Sequence, residues 1–187
     1  MKGRIIFMTE EESMGKVLRE LLPKLSPGFI EYQHWLILDH KGKSDLEASY
    51  PRKMRAWREP GVRFIILRDN DGSDCLLLKE TLIARIPDQP PQYLVRIVRQ
   101  ELESWFIGDL AAVAAAYPAA ARQKAFKSLS KTDPDELTNA SELLKELTGT
   151  GAKRARAVEI AKKMHLERNR SRSFRLFVEG VTKFLSQ

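Results

Sequence analysis

Four short runs mark the first half of the chain: Ile5-Ile6-Phe7-Met8, Val62 to Leu67 and Tyr93 to Val98 are mainly apolar, broken only by Arg63 and Arg96, and the stretch from Phe29 to Leu38 returns as a strand with Glu31, Gln33 and His34 inside it. Where nearly every position is apolar, both faces of a strand must be covered, which is the situation inside a parallel sheet flanked by helices. The segments between the runs have helical spacing instead. Met14, Val17, Leu18, Leu21, Leu22 and Leu25 share one face of a predicted helix. A second helix is expected from Asp45 to about Arg58, kinked or divided by Pro51, with Ser44 and Glu47 forming a capping box at its start. A third runs from Cys75 to Ile86, and Pro87 ends it. Strand and helix alternate, so the pattern predicts an α/β fold with a mostly parallel sheet of about four strands flanked by helices, over residues 1–110.

Beyond the fourth run the period is helical throughout. Leu102, Trp105, Phe106, Leu110 and Val113 make one apolar stripe, which marks Trp105 as a core residue. Asp133-Pro134-Asp135-Glu136 reads as a helix start with Pro at its first position, and Gly149-Thr150-Gly151 as a break. Phe174, Phe177, Val178, Val181 and Phe184 give the last helix a face that docks on the sheet. Residues 111–187 are therefore expected to form a helical extension packed on the first domain.

Composition narrows the class. With 187 residues and 43% hydrophobic content, the chain can bury one good core and an annex. No run approaches the ~18 apolar residues of a membrane span, and the apolar stretch after Met1-Lys2-Gly3-Arg4 is too short for a signal peptide, so no membrane partner is expected. The single cysteine, Cys75, fits a reducing cytoplasm. His34, His40 and His165 lack the spacing of a zinc site. Charge is uneven: residues 1–118 hold 17 Lys and Arg against 17 Asp and Glu, whereas residues 119–187 hold 15 against 8. A basic lobe beside an acidic pocket suits an enzyme acting on a polyanion such as nucleic acid. A solvated basic helix face is the plainer reading of the same residues.

The candidate chemistry lies where strands end. The third run stops at Arg68-Asp69-Asn70-Asp71-Gly72-Ser73-Asp74. Asp69 and Asp71 on a tight loop can offer oxygen ligands to one divalent cation, Mg²⁺ or Mn²⁺, although Asp, Asn and Gly also favour turns for backbone reasons alone. Glu10 follows the first strand and Glu101 and Glu103 follow the fourth, at the same kind of junction. If the strands are parallel, these carboxylates meet at one sheet edge, where a cation relieves their repulsion. Glu103 is the candidate further ligand, and Glu11, Asp74 and Glu101 are additional acidic candidates. Gly42-Lys43-Ser44 fails as a nucleotide-binding loop, because position 37 is Ile where that motif needs Gly. Lys43 remains available to offset charge on a phosphate.

Glu10 after the first strand and Asp69-x-Asp71 after a later one resemble the TOPRIM domain of topoisomerases, primases and overcoming-lysogenization-defect nucleases. At closer range the chain looks like the bacterial and archaeal family called domain of unknown function 4276. That likeness is carried by Glu10-Glu11-Glu12-Ser13, His40-Lys41-Gly42-Lys43-Ser44-Asp45-Leu46, Arg68-Asp69-Asn70-Asp71, Glu101-Leu102-Glu103-Ser104-Trp105 and Asn169-Arg170-Ser171-Arg172-Ser173-Phe174. The resemblance implies a TOPRIM-like fold, a magnesium site and phosphodiester chemistry in a phage-defence component working beside a partner ATPase. On that reading Glu10 would serve as general acid or base, or as a ligand to a second ion, and Lys43 would offset charge on the phosphate; Asp69, Asp71 and Glu103 would hold the metal, while Asn169, Ser171 and Arg172 would either orient substrate or cap and pack the last helix. A non-catalytic subunit of the same fold, binding a partner or nucleic acid, is the competing expectation.

Overall fold

The continuous apolar runs become strands because helices cover them from both sides. In the computed structural model, which describes residues 3–186, the order is β1 (Ile5–Thr9), α1 (Glu12–Leu25), β2 (Trp35–Asp39), α2 (Lys43–Ala56), β3 (Arg63–Asp69), α3 (Cys75–Ala84) and β4 (Tyr93–Val98). The helical part follows as α4 (Glu103–Gly108), α5 (Leu110–Ala116), α6 (Lys124–Leu129), α7 (Ala140–Thr148), α8 (Lys153–Lys163) and α9 (Arg172–Ser186). No helix among the described residues is long and apolar enough to cross a membrane.

The four strands form one sheet in the order β2-β1-β3-β4, and every pairing is parallel. Alternate side chains feed two cores. Ile5, Phe7, Trp35, Ile37, Ile65 and Leu67 face α1 and the later helices, whereas Ile6, Met8, Phe64, Ile66 and Val95 face α2 and α3. Parallel strands joined by right-handed crossovers explain the layering: the step from β1 to β2 runs one way with its helix on one face, and the return from β2 to β3 runs the other way with its helix on the opposite face. The direction therefore reverses between β1 and β3. In open α/β sheets such a reversal leaves a crevice beyond the strands' carboxyl ends, and Glu10 and Asp69 stand at its two lips.

The helical part shares the larger core. Trp105, Phe106, Phe174, Phe177 and Val181 belong to the same cluster as Ile5, Phe7 and Ile65. Trp105 is fully buried, packs edge-on against Phe174 at 5.1 Å between centroids, and donates from Nε1 to Ser173 Oγ at 2.9 Å. The stripe that includes it is divided between α4 and α5. Asp109 sits between them, and its carboxylate accepts from Ala112 N, His165 N and the Arg168 guanidinium.

Several local expectations are corrected. β2 starts at Trp35 and not at Phe29, because Tyr32 takes a left-handed conformation (φ 68°) and Glu31 is held by Arg19 at 3.0 Å, so residues 29–34 turn back on the Trp35 ring. Pro51 does not divide α2, which runs unbroken around it with Leu46, Tyr50 and Met54 anchored in the core. No capping box forms at Ser44, because Gly42 at φ 101° starts the helix earlier and puts Ser44 inside it. Glu47 instead pairs with Arg68 and Arg85, each at 3.0 Å. Residues 134–136 form a 3-10 turn, with Asp133 accepting from Asp135 N.

Candidate functional site

Glu10 and Asp69 are delivered to the crevice by neighbouring strands whose register is fixed from Ile5 against Arg63 to Thr9 against Leu67. One residue past that register, Glu10 Oε2 accepts from the Asp69 backbone N–H at 3.2 Å. Asp69 Oδ2 accepts from Leu102 N at 3.3 Å, so the loop after β4 also closes on it. Its other oxygen, Oδ1, is buried without a hydrogen-bond partner among the described residues, and so is Glu103 Oε2 on α4. A buried carboxylate oxygen left unpaired is costly unless a cation or a proton satisfies it.

The electrostatics of the cluster follow from this crowding. Burial, reinforced by the charges of Glu10, Glu103 and Glu11, holds the Asp69 carboxyl well above the usual carboxylate range. Glu10 is raised by burial and by Asp71, against the pull of Arg68. Glu103 is raised by burial, with Lys153 opposing. Three acidic groups from three elements thus resist ionisation together, as like charges at a shared site do.

The surrounding contacts are cationic. Lys43 Nζ lies 3.5 Å from Asp71 Oδ2, and Asp71 adopts a left-handed conformation (φ 47°) at the loop tip. Lys153, the first residue of α8, reaches Glu11 at 3.1 Å and Glu103 at 3.4 Å. Burial lowers its pKa, but the two carboxylates outweigh that and raise it overall. In the sequence Lys153 is only one cation of a basic segment, and no local signal connects it to Glu11, 142 residues away. Glu10, Glu11, His40, Lys41, Lys153 and Arg154 line a cleft of about 860 Å³. His40 is buried there, with Nδ1 2.9 Å from Thr9 O and Nε2 3.3 Å from Lys53 Nζ, and burial holds its pKa below the usual histidine value. Gly15 lets α1 approach β2 closely: a Cβ there would collide with the Asp39 carboxylate.

Some expected site residues are occupied elsewhere. Asp74 caps α3, accepting from Leu76 N and Leu77 N at 2.8 Å. Glu101 points to α7 and accepts from Ser141 N at 2.9 Å. Asn169 and Ser171 are buried and cap and pack the start of α9, the second of the two roles open to them. Asn169 Nδ2 donates to Trp105 O at 2.7 Å and its Oδ1 accepts from Ser171 N at 2.9 Å, while Ser171 Oγ donates to Asp135 at 2.6 Å. Arg172 is exposed but lines a different groove, beside β4. The expected outcome of Asn169→Ala is a stability loss of about 2–3 kcal/mol from orphaned backbone groups, with divalent-ion affinity unchanged. Urea denaturation beside titration calorimetry reads both.

Whether this donor set suits a cation has two sides. Among the described residues, no three His, Cys, Asp or Glu side chains are arranged to grip one metal ion. The orphaned oxygens of Asp69 and Glu103, at a site of only partly neutralised negative charge, nonetheless fit a hard divalent ion, which takes carboxylate oxygens and completes its shell with water.

Comparison with solved structures gives a likeness along nearly the whole length. The C-terminal region of the Xanthomonas campestris pv. campestris OLD protein, phased with iodine, matches with TM-score 0.54 and 12% identity, covering 98% of this chain and 96% of that one. The same region phased with mercury gives TM-score 0.49 at the same identity and coverage. The fold is therefore TOPRIM-like: a parallel four-stranded sheet flanked by helices and closed by a C-terminal helix. No curated protein matches the chain. A family model does match, over residues 9–182, and it spans the strand-end acidic residues and the helical part alike, so the chain belongs to the family described as domain of unknown function (DUF4276).

Proposed function

We propose that the protein is a divalent-metal-dependent nuclease acting on nucleic-acid phosphodiester bonds. The observation that carries this reading is the buried Asp69 Oδ1, without a hydrogen-bond partner among the described residues and crowded by Glu10 and Glu103 at the crevice between β1 and β3. Asp69 and Asp71, with Glu103, would hold Mg²⁺ or Mn²⁺. When bound, such an ion supplies Lewis-acid polarisation of a phosphate oxygen and a more acidic water. Glu10, its pKa raised by burial, is suited to move a proton as general acid or base. Lys43 and Lys153 would offset charge on the phosphate, and the helical part's excess of Lys and Arg would hold the polyanion. On the family resemblance, the reading extends to a phage-defence component in the cytoplasm working beside a partner ATPase.

The test is Mg²⁺ or Mn²⁺ titration with plasmid and RNA cleavage, with and without the partner ATPase, comparing the native protein with Asp69→Ala and Glu10→Gln. Cleavage that needs the ion and disappears in both variants is expected. One observation favours a second reading, a non-catalytic subunit of the same fold: the acidic side chains do not by themselves form a three-ligand site among the described residues. No ion uptake and no cleavage, with or without the partner ATPase, would establish that alternative.

A further inference from the structure

β4 is an edge strand, and its outer side is open. The carbonyls of Gln92 and Val98 accept from Phe64 N and Asn70 N of the β3 segment. Strand alternation then turns the backbone groups of Tyr93, Val95 and Ile97 outward. Among the described residues, the one bond to these outward groups is from the Arg96 guanidinium to Val95 O, at 3.4 Å. An unpaired edge is a template for another strand, and proteins that leave one bare usually blunt or cover it.

Here the edge lies in a groove of about 550 Å³ between α3 and α9. Its apolar walls include Leu76 and Leu176, which are 74% and 44% exposed, although α3 is apolar in seven of its ten residues, CLLLKETLIA. Its charged lining is one-sided. Lys79, Arg96, Arg99 and Arg172 face a single carboxylate, Asp135, which is buried and already accepts from Ser171 and Ser173. Among the described residues, Arg99 alone of the four has an ion-pair partner, Glu136 at 2.7 Å.

We propose that this groove docks an extended segment of a partner protein, with aliphatic and acidic side chains in alternation, as a fifth strand beside β4. The bare backbone groups supply main-chain pairing, and an extended strand turns its aliphatic side chains to one helix and its acidic ones to the other: aliphatic groups on Leu76 of α3 leave the acidic ones to Arg96 and Arg172 beside α9, and aliphatic groups on Leu176 of α9 leave them to Lys79 of α3. A second copy of this chain fits poorly, since it would bring the same cations face to face across the new strand pair. Nucleic acid would satisfy the cations but leave the strand edge and the leucines unused. The inference is independent of the metal site.

The test uses the full chain and a fluorescent eight-residue peptide of alternating Glu and Val, read by anisotropy. The controls are a Lys–Val sibling and a copy N-methylated along one edge. The Glu–Val peptide should bind, the Lys–Val and methylated peptides should not, and Arg172→Glu or Lys79→Glu should weaken binding about tenfold. Cys75, the only cysteine, lines the groove, so bound peptide should slow its alkylation by iodoacetamide. The proposal is overturned if no peptide binds, if methylation or both charge reversals leave binding unchanged, or if a single-stranded oligonucleotide displaces the peptide and protects Cys75 in its place.

Discussion

Asp69→Asn is expected to make the protein inactive and, without divalent ions, more stable. The substitution keeps the shape of the side chain and its contact with Leu102 N, and removes one charge from a buried acidic cluster. In the native protein that charge is opposed by burial and by Glu10, Glu103 and Glu11, so the ion-free fold carries a penalty that the amide avoids. A site arranged for function at a cost in stability should show this trade-off. Cleavage should fall by at least about a hundredfold, because the amide is a poor ligand for a hard cation. Thermal melts in chelator should shift upward, and the gain in melting temperature that Mn²⁺ gives the native protein should vanish. Undiminished cleavage, or an Mn²⁺ shift that survives the substitution, would remove Asp69 from the site.

A second large effect is expected in the pH dependence of ion-free stability. Asp69, Glu10 and Glu103 all have folded-state pKa values raised above the ordinary carboxylate range. Between the unfolded value and the raised one, the folded state binds more protons than the unfolded state. Stability therefore falls as pH rises through that window, each group contributing a slope of at most about 1.4 kcal/mol per pH unit. His40 works in the opposite sense, since its depressed pKa makes the unfolded chain the better proton acceptor on acidification. Comparing the native protein with Asp69→Asn cancels His40 and isolates the carboxylate. Urea denaturation in chelator across pH 5–8 should give a more negative slope for the native protein. With saturating Mg²⁺ or Mn²⁺ the difference should disappear or reverse, because the ion favours the ionised ligands. Identical slopes in chelator would mean that Asp69 ionises freely in the fold.

The parallel sheet was legible because strands covered on both faces need long apolar runs: β1 and β3 have them, and β4 has one broken only by Arg96. The approach of Glu10 to Asp69 was legible for a related reason: parallel strands put all their carboxyl ends at one edge. Other features depend on tertiary choices that periodicity does not encode. Phe29 belongs to an apolar run, yet it stacks on Trp35 instead of extending β2. Asn169 and Ser171, in a stretch rich in arginine, read equally as substrate-binding groups or as caps of the last helix. Their bonds to Trp105, Asp135 and one another tie the start of α9 to α4. Lys153 reaches the acidic edge only because α8 packs against α1.

Arg68 ties the crevice to the far side of the sheet. It is almost fully buried, its Nη1 donates to the Asp69 carbonyl at 2.6 Å, and its Nε stands 3.0 Å from Glu47 on α2, which also holds Arg85. The backbone that aims Asp69 is thus braced from behind by a residue outside the cleft lining. A mutational scan that scores loss of activity should accordingly find hits on two surfaces of the molecule, and one drawn only from a map of the cleft would overlook Glu47.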